Sequence, residues 1–146
     1  MAPRLIVSAV ATLALLACMQ PPVNSTTACN GNCKVVVTVS DQGCANPGSI
    51  TAAPDPLSVK KNFPNQIFWE IQTPGYTFVA PPPPPPGGIS GLPDPPFDHP
   101  HLAGNGTKYD IHDNNPETKD FKYGIHLLDA HGNPCWVLDP TIRNGQ

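Results

Sequence analysis

The stretch that decides the fold is Gln66–Gln72, QIFWEIQ, in which large apolar residues occupy every second position. Ile67, Trp69 and Ile71 fall on one side of the chain, and mainly polar residues fall on the other. Because successive side chains of a strand point to opposite faces, this alternation predicts a β-strand with one buried face. We therefore expect Trp69 in the core. We expect Trp136 there too, since large aromatic side chains commonly fill such cores.

Further short β-segments lie on both sides of this strand, and no segment shows a sustained helical period. The predicted strands are Lys34–Ser40, a short strand from Tyr76 after a Pro74-Gly75 turn, Lys108–His112, Phe121–Leu128, and a last strand from Cys135 interrupted at Pro140. Short strands separated by turn residues predict an all-β fold, either an antiparallel sandwich or a barrel.

The proline-rich segment 80–101 has two possible interpretations. It contains six consecutive prolines followed by Gly87 and Gly88, a composition that suits a linker between two domains. Only about three or four strands precede it and about three follow, and neither set is enough to close a two-layer core. We therefore expect a long loop inside one domain spanning 33–146, extended as polyproline II.

Residues 1–17 have the pattern of a secretory signal peptide, with Arg4 ahead of the apolar run LIVSAVATLALLA. That run is too short to span a bilayer as a helix. The motif LLAC, ending at Cys18, resembles the lipobox of bacterial lipoproteins. The resemblance implies that Cys18 is lipidated and anchors the protein to a membrane, with 18–32 as lipidated N-terminus and tether. The alternative is an ordinary signal peptide followed by an incidental cysteine.

Composition narrows the choice of partners. The chain has 8 basic and 11 acidic residues and a net charge of −3, so it carries no basic footprint for nucleic acid. Its 21 prolines argue against long helices. We expect a membrane, reached through the anchor, and an unknown partner in the periplasm or cell envelope.

The cysteines beyond the anchor form an even set that predicts two disulfides in an exported chain. They are Cys29, Cys33, Cys44 and Cys135. A Cys33–Cys44 bond would have to bridge a strand about 23 Å long, whereas bonded cysteines have Cα atoms about 5.5 Å apart. A Cys29–Cys44 bond requires both flanking segments to fold back over that strand and stays possible. Cys29–Cys33 with Cys44–Cys135 is favoured. A zinc site would lack a second close Cys or His pair.

Three segments carry a resemblance to a known group of proteins: NQIFWEIQTPGYTF (65–78), AGNGTKYDIHDNN (103–115) and FKYGIHLLDAHGNPCWVLDPTIRN (121–144). Together they resemble small exported bacterial domains with a cupredoxin-like β-sandwich. The resemblance covers 34–144 and implies an antiparallel Greek-key sandwich of the cupredoxin-like or immunoglobulin-like type. Since those domains are largely of unknown function, it implies a non-catalytic binding or envelope-interaction module of unknown ligand.

A blue-copper centre is not expected. Such centres use two histidines, one cysteine and a weak axial methionine. The predicted strand Phe121–Leu128 has no cysteine, and neither His nor Met follows Cys135. No nucleophile elbow, zinc-protease helix or phosphate-binding glycine loop is present, so we expect no enzyme and no resident cofactor.

The best candidate metal ligands are Asp98, His99 and His101. Imidazole and carboxylate groups suit copper or zinc in an oxidising compartment. The two histidines point to one side only if Pro100 lies in an extended strand, and they diverge in polyproline II. The alternative function is therefore a periplasmic copper- or zinc-binding protein. The simpler interpretation is a pair of loop histidines beside turn-forming prolines.

The remaining histidines and an acidic loop have plain interpretations. His112 and His126 fall on the polar faces of their strands, where we expect solvated side chains, although they could join one surface site if those strands pair. His131 lies in a turn. The acidic loop lacks the ligand spacing of a calcium loop and predicts a solvated turn. Its polar residues are Asp110, Asp113, Asn114, Asn115 and Glu117.

Overall fold

A computed structural model describes residues 27–81 and 87–146, which form an all-β fold and confirm that prediction. Within these ranges the strands are β1 Asn32–Val39, β2 Ile50–Ala53, β3 Leu57–Val59, β4 Asn65–Ile71, β5 Thr77–Phe78, β6 Ile89–Ser90, β7 Phe97–Ala103, β8 Lys108–Asp113, β9 Asp120–Lys122, β10 Gly124–Ile125, β11 Leu127–Leu128 and β12 Thr141–Asn144. A single 3₁₀ turn joins β7 to β8. None of the described helices is long and apolar enough to cross a membrane. The predicted signal peptide, Cys18 and most of the tether lie outside the described residues.

The strands form a five-stranded sheet and three smaller sheets. The large sheet has the order β2-β1-β4-β8-β7, so the strand that contains Trp69 lies at its centre. Trp69 is opposite Val35 of β1 and Tyr109 of β8. The smaller sheets have the orders β3-β12-β9, β10-β6 and β11-β5. All of them contribute buried residues to one hydrophobic core.

Two strand pairs are parallel, which differs from the wholly antiparallel arrangement that the sequence predicts. They are β1 with β4 and β3 with β12. The chain between β1 and β4 passes through β3, which belongs to another sheet, and therefore re-enters the large sheet in its original direction. Such a crossover is what a parallel pair requires. Greek-key connectivity stays a prediction.

Aromatic side chains join the sheets at the core. Trp69 is fully buried, and its Nε1 donates a hydrogen bond of 3.0 Å to the Tyr123 hydroxyl. Their rings meet edge-on at 5.5 Å, and Tyr109 lies on another side of the indole at 6.3 Å. Burying one large apolar side chain stabilises a fold by roughly 1.5–3 kcal/mol. The expected core position of Trp69 is confirmed.

Trp136 does not lie in the core: it is 52% exposed, so that prediction is wrong. Its neighbour Cys135 takes the inward position, because its sulfur forms the disulfide with Cys44 and its backbone N–H donates a hydrogen bond to the Leu127 carbonyl. The next side chain then faces outward. The regular strand of this segment begins only at Thr141.

Both disulfides of the favoured pairing are present. Cys29–Cys33 has a Cα–Cα distance of 5.6 Å, and Cys44–Cys135 has one of 5.0 Å. The second bond closes a sequence separation of 91 residues. On the chain-entropy account such a long loop gives about 4–5 kcal/mol of stabilisation, against about 2 kcal/mol for the short one.

The segment predicted as a proline-rich loop contains two strands. Both β6 and β7 lie within 80–101 or begin there, so the polyproline prediction does not hold for the stretch from Phe97 onward. β7 is an edge strand, where a proline without an N–H is tolerated. Its register shifts between Asp98 and His101, which marks a β-bulge. Pro82–Pro86 lie outside the described residues.

The predicted strand Phe121–Leu128 is divided into three. Its pieces β9, β10 and β11 each pair with a different partner, namely β12, β6 and β5. The alternation of large apolar residues was therefore a correct sign of extended chain. It could not show that the pairing partner changes every two or three residues.

The acidic loop is not uniformly solvated, and its prediction fails at two positions. Asp113 and Asn115 are both fully buried. β8 continues to Asp113, and strand alternation turns that side chain inward while His112 faces outward. Asn114 and Glu117 are exposed, as expected of a turn.

Candidate metal site at the edge of the large sheet

The pairing of β7 with β8 brings three potential metal ligands together. Asp98 lies directly opposite His112 in the strand register. His99 follows at the bulge with a φ of 54°, a left-handed backbone conformation that sets its side chain beside the same pair. One ligand atom from each residue lies within 4.8 Å of the other two. The bulge is therefore what converts a two-residue contact into a three-residue cluster.

The Asp98 carboxylate is the centre of this cluster. Its Oδ1 is 2.7 Å from His99 Nδ1 and 3.6 Å from His112 Nδ1. Its Oδ2 accepts a hydrogen bond of 2.9 Å from the Asn114 amide. The two imidazole rings lie 5.3 Å apart, tilted by 43°. Both histidine side chains are open to solvent, at 76% for His99 and 52% for His112.

Electrostatics couple the carboxylate to its neighbour. The hydrogen bond with His99 lowers the pKa of Asp98, and the amide of Asn114 lowers it further. In return, the hydrogen bond to Asp98 raises the pKa of His99. The carboxylate therefore stays ionised and attracts positive charge to this point of the surface.

The structure does not bring His101 into the cluster. Its Nδ1 lies 3.1 Å from Asp110 Oδ1, one step further along the β7–β8 ladder. Asp110 also accepts a hydrogen bond of 3.1 Å from Gln66. The bulge separates His101 from His99, so the ligand set in space is Asp98, His99 and His112.

His112 is the candidate ligand that sequence reasoning left outside the site. It was expected to be a solvated side chain, with a joint surface site with His126 as the alternative. The His126 ring instead contacts the Ser90 hydroxyl at 2.7 Å. The sequence did not reveal that β7 pairs with β8, because this segment was expected to be a loop. A proline that interrupts alternating polar residues is compatible with an edge strand, and that signal could have suggested the pairing. His131 is exposed in the expected turn.

The donor set suits a transition-metal ion. Two imidazoles and a carboxylate are ligands for Cu(II) and Zn(II), and three protein ligands leave coordination positions open. Asn114 holds the outer oxygen of Asp98 and would orient that ligand. Among the described residues this is the only group of three His, Cys, Asp or Glu side chains with such convergence.

No protein-family model matches the chain, and no curated protein matches it. The cupredoxin-like resemblance therefore stays a prediction, and function must be argued from the chemistry of the site.

Proposed function

We propose that the chain is an exported β-domain that binds Cu(II), and more weakly Zn(II), through Asp98, His99 and His112. The observation that carries the proposal is the convergence of their ligand atoms within 4.8 Å. Sites with nitrogen and oxygen donors bind Cu(II) more tightly than Zn(II). Compared with the set expected from sequence, His112 takes the place of His101.

The proposed role is reversible capture of the ion rather than catalysis or structural support. A structural zinc site is closed by four protein ligands, whereas three ligands here leave room for water or an incoming ligand. The exposure of both imidazoles favours exchange with solvent. The module would thus handle metal in the periplasm or cell envelope without a type 1 copper centre.

Export and anchoring form the second part of the proposal. Two disulfides support a location in an oxidising compartment. Lipidation of Cys18 would hold the domain at a membrane through the tether 18–32. Mass spectrometry of the mature protein should find diacylglycerol on Cys18, and a mature chain that begins elsewhere would refute the anchor.

The metal proposal is tested by calorimetric titration of the purified, disulfide-bonded protein with Cu(II) and with Zn(II). The wild type should bind one ion, with higher affinity for Cu(II). A His99→Ala/His112→Ala variant should lose this binding. His101→Ala is the matched control, because it removes an exposed histidine from the same strand pair but from outside the cluster, and it should bind like the wild type.

Two results would overturn the metal proposal. One is the lack of stoichiometric binding by the wild type, and the other is equal binding by the His99→Ala/His112→Ala variant. Either result would leave the cupredoxin-like envelope-interaction module of unknown ligand as the remaining proposal. A loss of binding in His101→Ala equal to that in the double variant would instead contradict the ligand set.

A further inference from the structure

A second polar cluster lies on the opposite side of β8 and is buried. Asp113, Asn115 and Asn144 are each 0% exposed. They come from the end of β8, the segment that follows it, and the C-terminal strand β12. Buried polar groups of this kind are expected to be fully hydrogen-bonded or to bind an ion.

Hydrogen bonds tie the three residues to one another. Asp113 Oδ1 accepts from the backbone N–H of Asn115 at 2.9 Å and from Asn144 Nδ2 at 3.2 Å. Asn115 Nδ2 in turn donates to the Lys60 carbonyl at 2.6 Å. These hydrogen bonds use the nitrogen atoms of Asn115 and Asn144 and one oxygen of Asp113. They involve none of the remaining side-chain oxygens.

Three oxygen atoms of this cluster have no donor among the described residues. They are Asp113 Oδ2, Asn115 Oδ1 and Asn144 Oδ1, and each is inaccessible to solvent. Exchanging the positions of the oxygen and the nitrogen in either asparagine side chain does not provide the missing hydrogen-bond donors. A reversed Asn144 would set its oxygen against Asp113 Oδ1, and a reversed Asn115 would set its oxygen against the Lys60 carbonyl.

No charged side chain in the described part of the chain forms an ion pair with the Asp113 carboxylate. One water molecule donates two hydrogen bonds and cannot satisfy three acceptors. One proton on Asp113 Oδ2 supplies a single donor and still leaves an amide oxygen. A cation bound by the three oxygens would satisfy them together.

We propose that Asp113, Asn115 and Asn144 bind a calcium ion through these three oxygens. Calcium takes carboxylate and amide oxygens in flexible geometry, with backbone carbonyls or water completing six to eight ligands. Magnesium demands near-ideal octahedral geometry and gives up water reluctantly, so it fits an enclosed site poorly. Imidazole is absent from the cluster, which separates this site chemically from the exposed one.

The role of the ion is structural. It joins β8 to β12, and Asn115 extends the connection to the end of β3 through the Lys60 carbonyl. These segments are far apart in sequence, so the ion would cross-link the folded chain and not the unfolded one. Binding to the folded state alone raises thermal stability by mass action.

The test is thermal unfolding of the purified protein in a chelator and in millimolar Ca²⁺ or Mg²⁺. Ca²⁺ should raise the Tm of the wild type by about 5 °C or more, and Mg²⁺ should raise it less. Asp113→Asn removes the charge with little change in size and should abolish the Ca²⁺ shift. Asp110→Asn makes the same chemical change on the exposed face of the same strand and should retain the shift.

Equilibrium dialysis of the wild type against Ca²⁺ gives an independent measurement if Asp113→Asn does not fold. One tightly held calcium per chain is expected, and it should survive the His99→Ala/His112→Ala substitutions. No Ca²⁺ shift and no bound calcium in the wild type would overturn the proposal. An equal shift in Asp113→Asn would overturn the assignment to this cluster.

Discussion

His112 and Asp113 are consecutive residues, yet they belong to two clusters of opposite character. His112 faces solvent, where two imidazoles surround the Asp98 carboxylate. Asp113 faces inward, where the surrounding groups are amides and backbone carbonyls. Strand alternation thus places a nitrogen-rich cluster and an oxygen-rich cluster on the two sides of one strand. The difference shows that ligand chemistry can change completely over a single residue.

The two aspartates of these clusters respond oppositely to their surroundings. A hydrogen bond with His99 lowers the pKa of Asp98. Burial raises the pKa of Asp113 to about 6, even though Asn115 and Asn144 donate hydrogen bonds to it. Solvent and a basic partner stabilise one carboxylate, whereas removal from water destabilises the other.

The largest expected effect is on the stability of the protein in the presence of a chelator, where no calcium is bound. Asp113→Ala should lower the free energy of unfolding by about 3–5 kcal/mol, because it leaves buried donors of Asn115 and Asn144 without an acceptor. Asp98→Ala should leave the urea midpoint nearly unchanged, since its partners remain solvated. Equal losses in the two variants, measured by urea denaturation, would contradict the distinction between a buried and an exposed cluster.

A crossed binding experiment sharpens the same comparison. His112→Ala removes a direct ligand, so it should lower Cu(II) affinity by more than the roughly 10–100-fold typical of a residue that only orients a ligand. It should leave the Ca²⁺-induced Tm shift intact. Asn144→Ala should retain the Cu(II) affinity and lose the Ca²⁺-induced Tm shift, because it removes one buried oxygen and leaves both imidazoles in place. Calorimetry with Cu(II) and thermal unfolding with Ca²⁺ measure the two effects. If either variant lost both, the clusters would not be independent.

The smallest effect is the pH dependence of stability without calcium. The folded chain holds a proton on Asp113 up to about pH 6, whereas the unfolded chain releases it near pH 4. Stability should therefore fall as pH rises from about 4 to about 6, by about 2 kcal/mol. The difference between wild type and Asp113→Asn isolates this term from other carboxylates. Saturating Ca²⁺ should remove the fall, and a flat difference curve in chelator would refute it.

Local patterns were sufficient for several features of the fold. The alternation in β4 and β8 predicted extended strands with the correct buried faces, because strand period is a property of the adjacent residues. The length of β1 also argued against the Cys33–Cys44 bond and favoured the observed pairing, although it left a Cys29–Cys44 bond possible.

Other features depended on residues distant in sequence. Trp136 is outside the core because Cys135, held to Cys44, takes the inward position. The burial of Asp113 involves Asn144, which is 31 residues away. Composition gave the wrong expectation for both residues. Aromatic side chains such as Trp136 are expected in the core, and acidic side chains such as Asp113 are expected to face solvent.

The sequence by itself determined an all-β chain with two disulfides, and it picked out the Asp98–His101 stretch as a candidate site. Only the tertiary structure decided which side chains meet. The bulge in β7 and its pairing with β8 exchanged His101 for His112, and the approach of β12 enclosed the oxygens of Asp113 and Asn115. The physical reason is that alternation sets the face on which a residue lies, whereas strand register and long-range pairing set its neighbours.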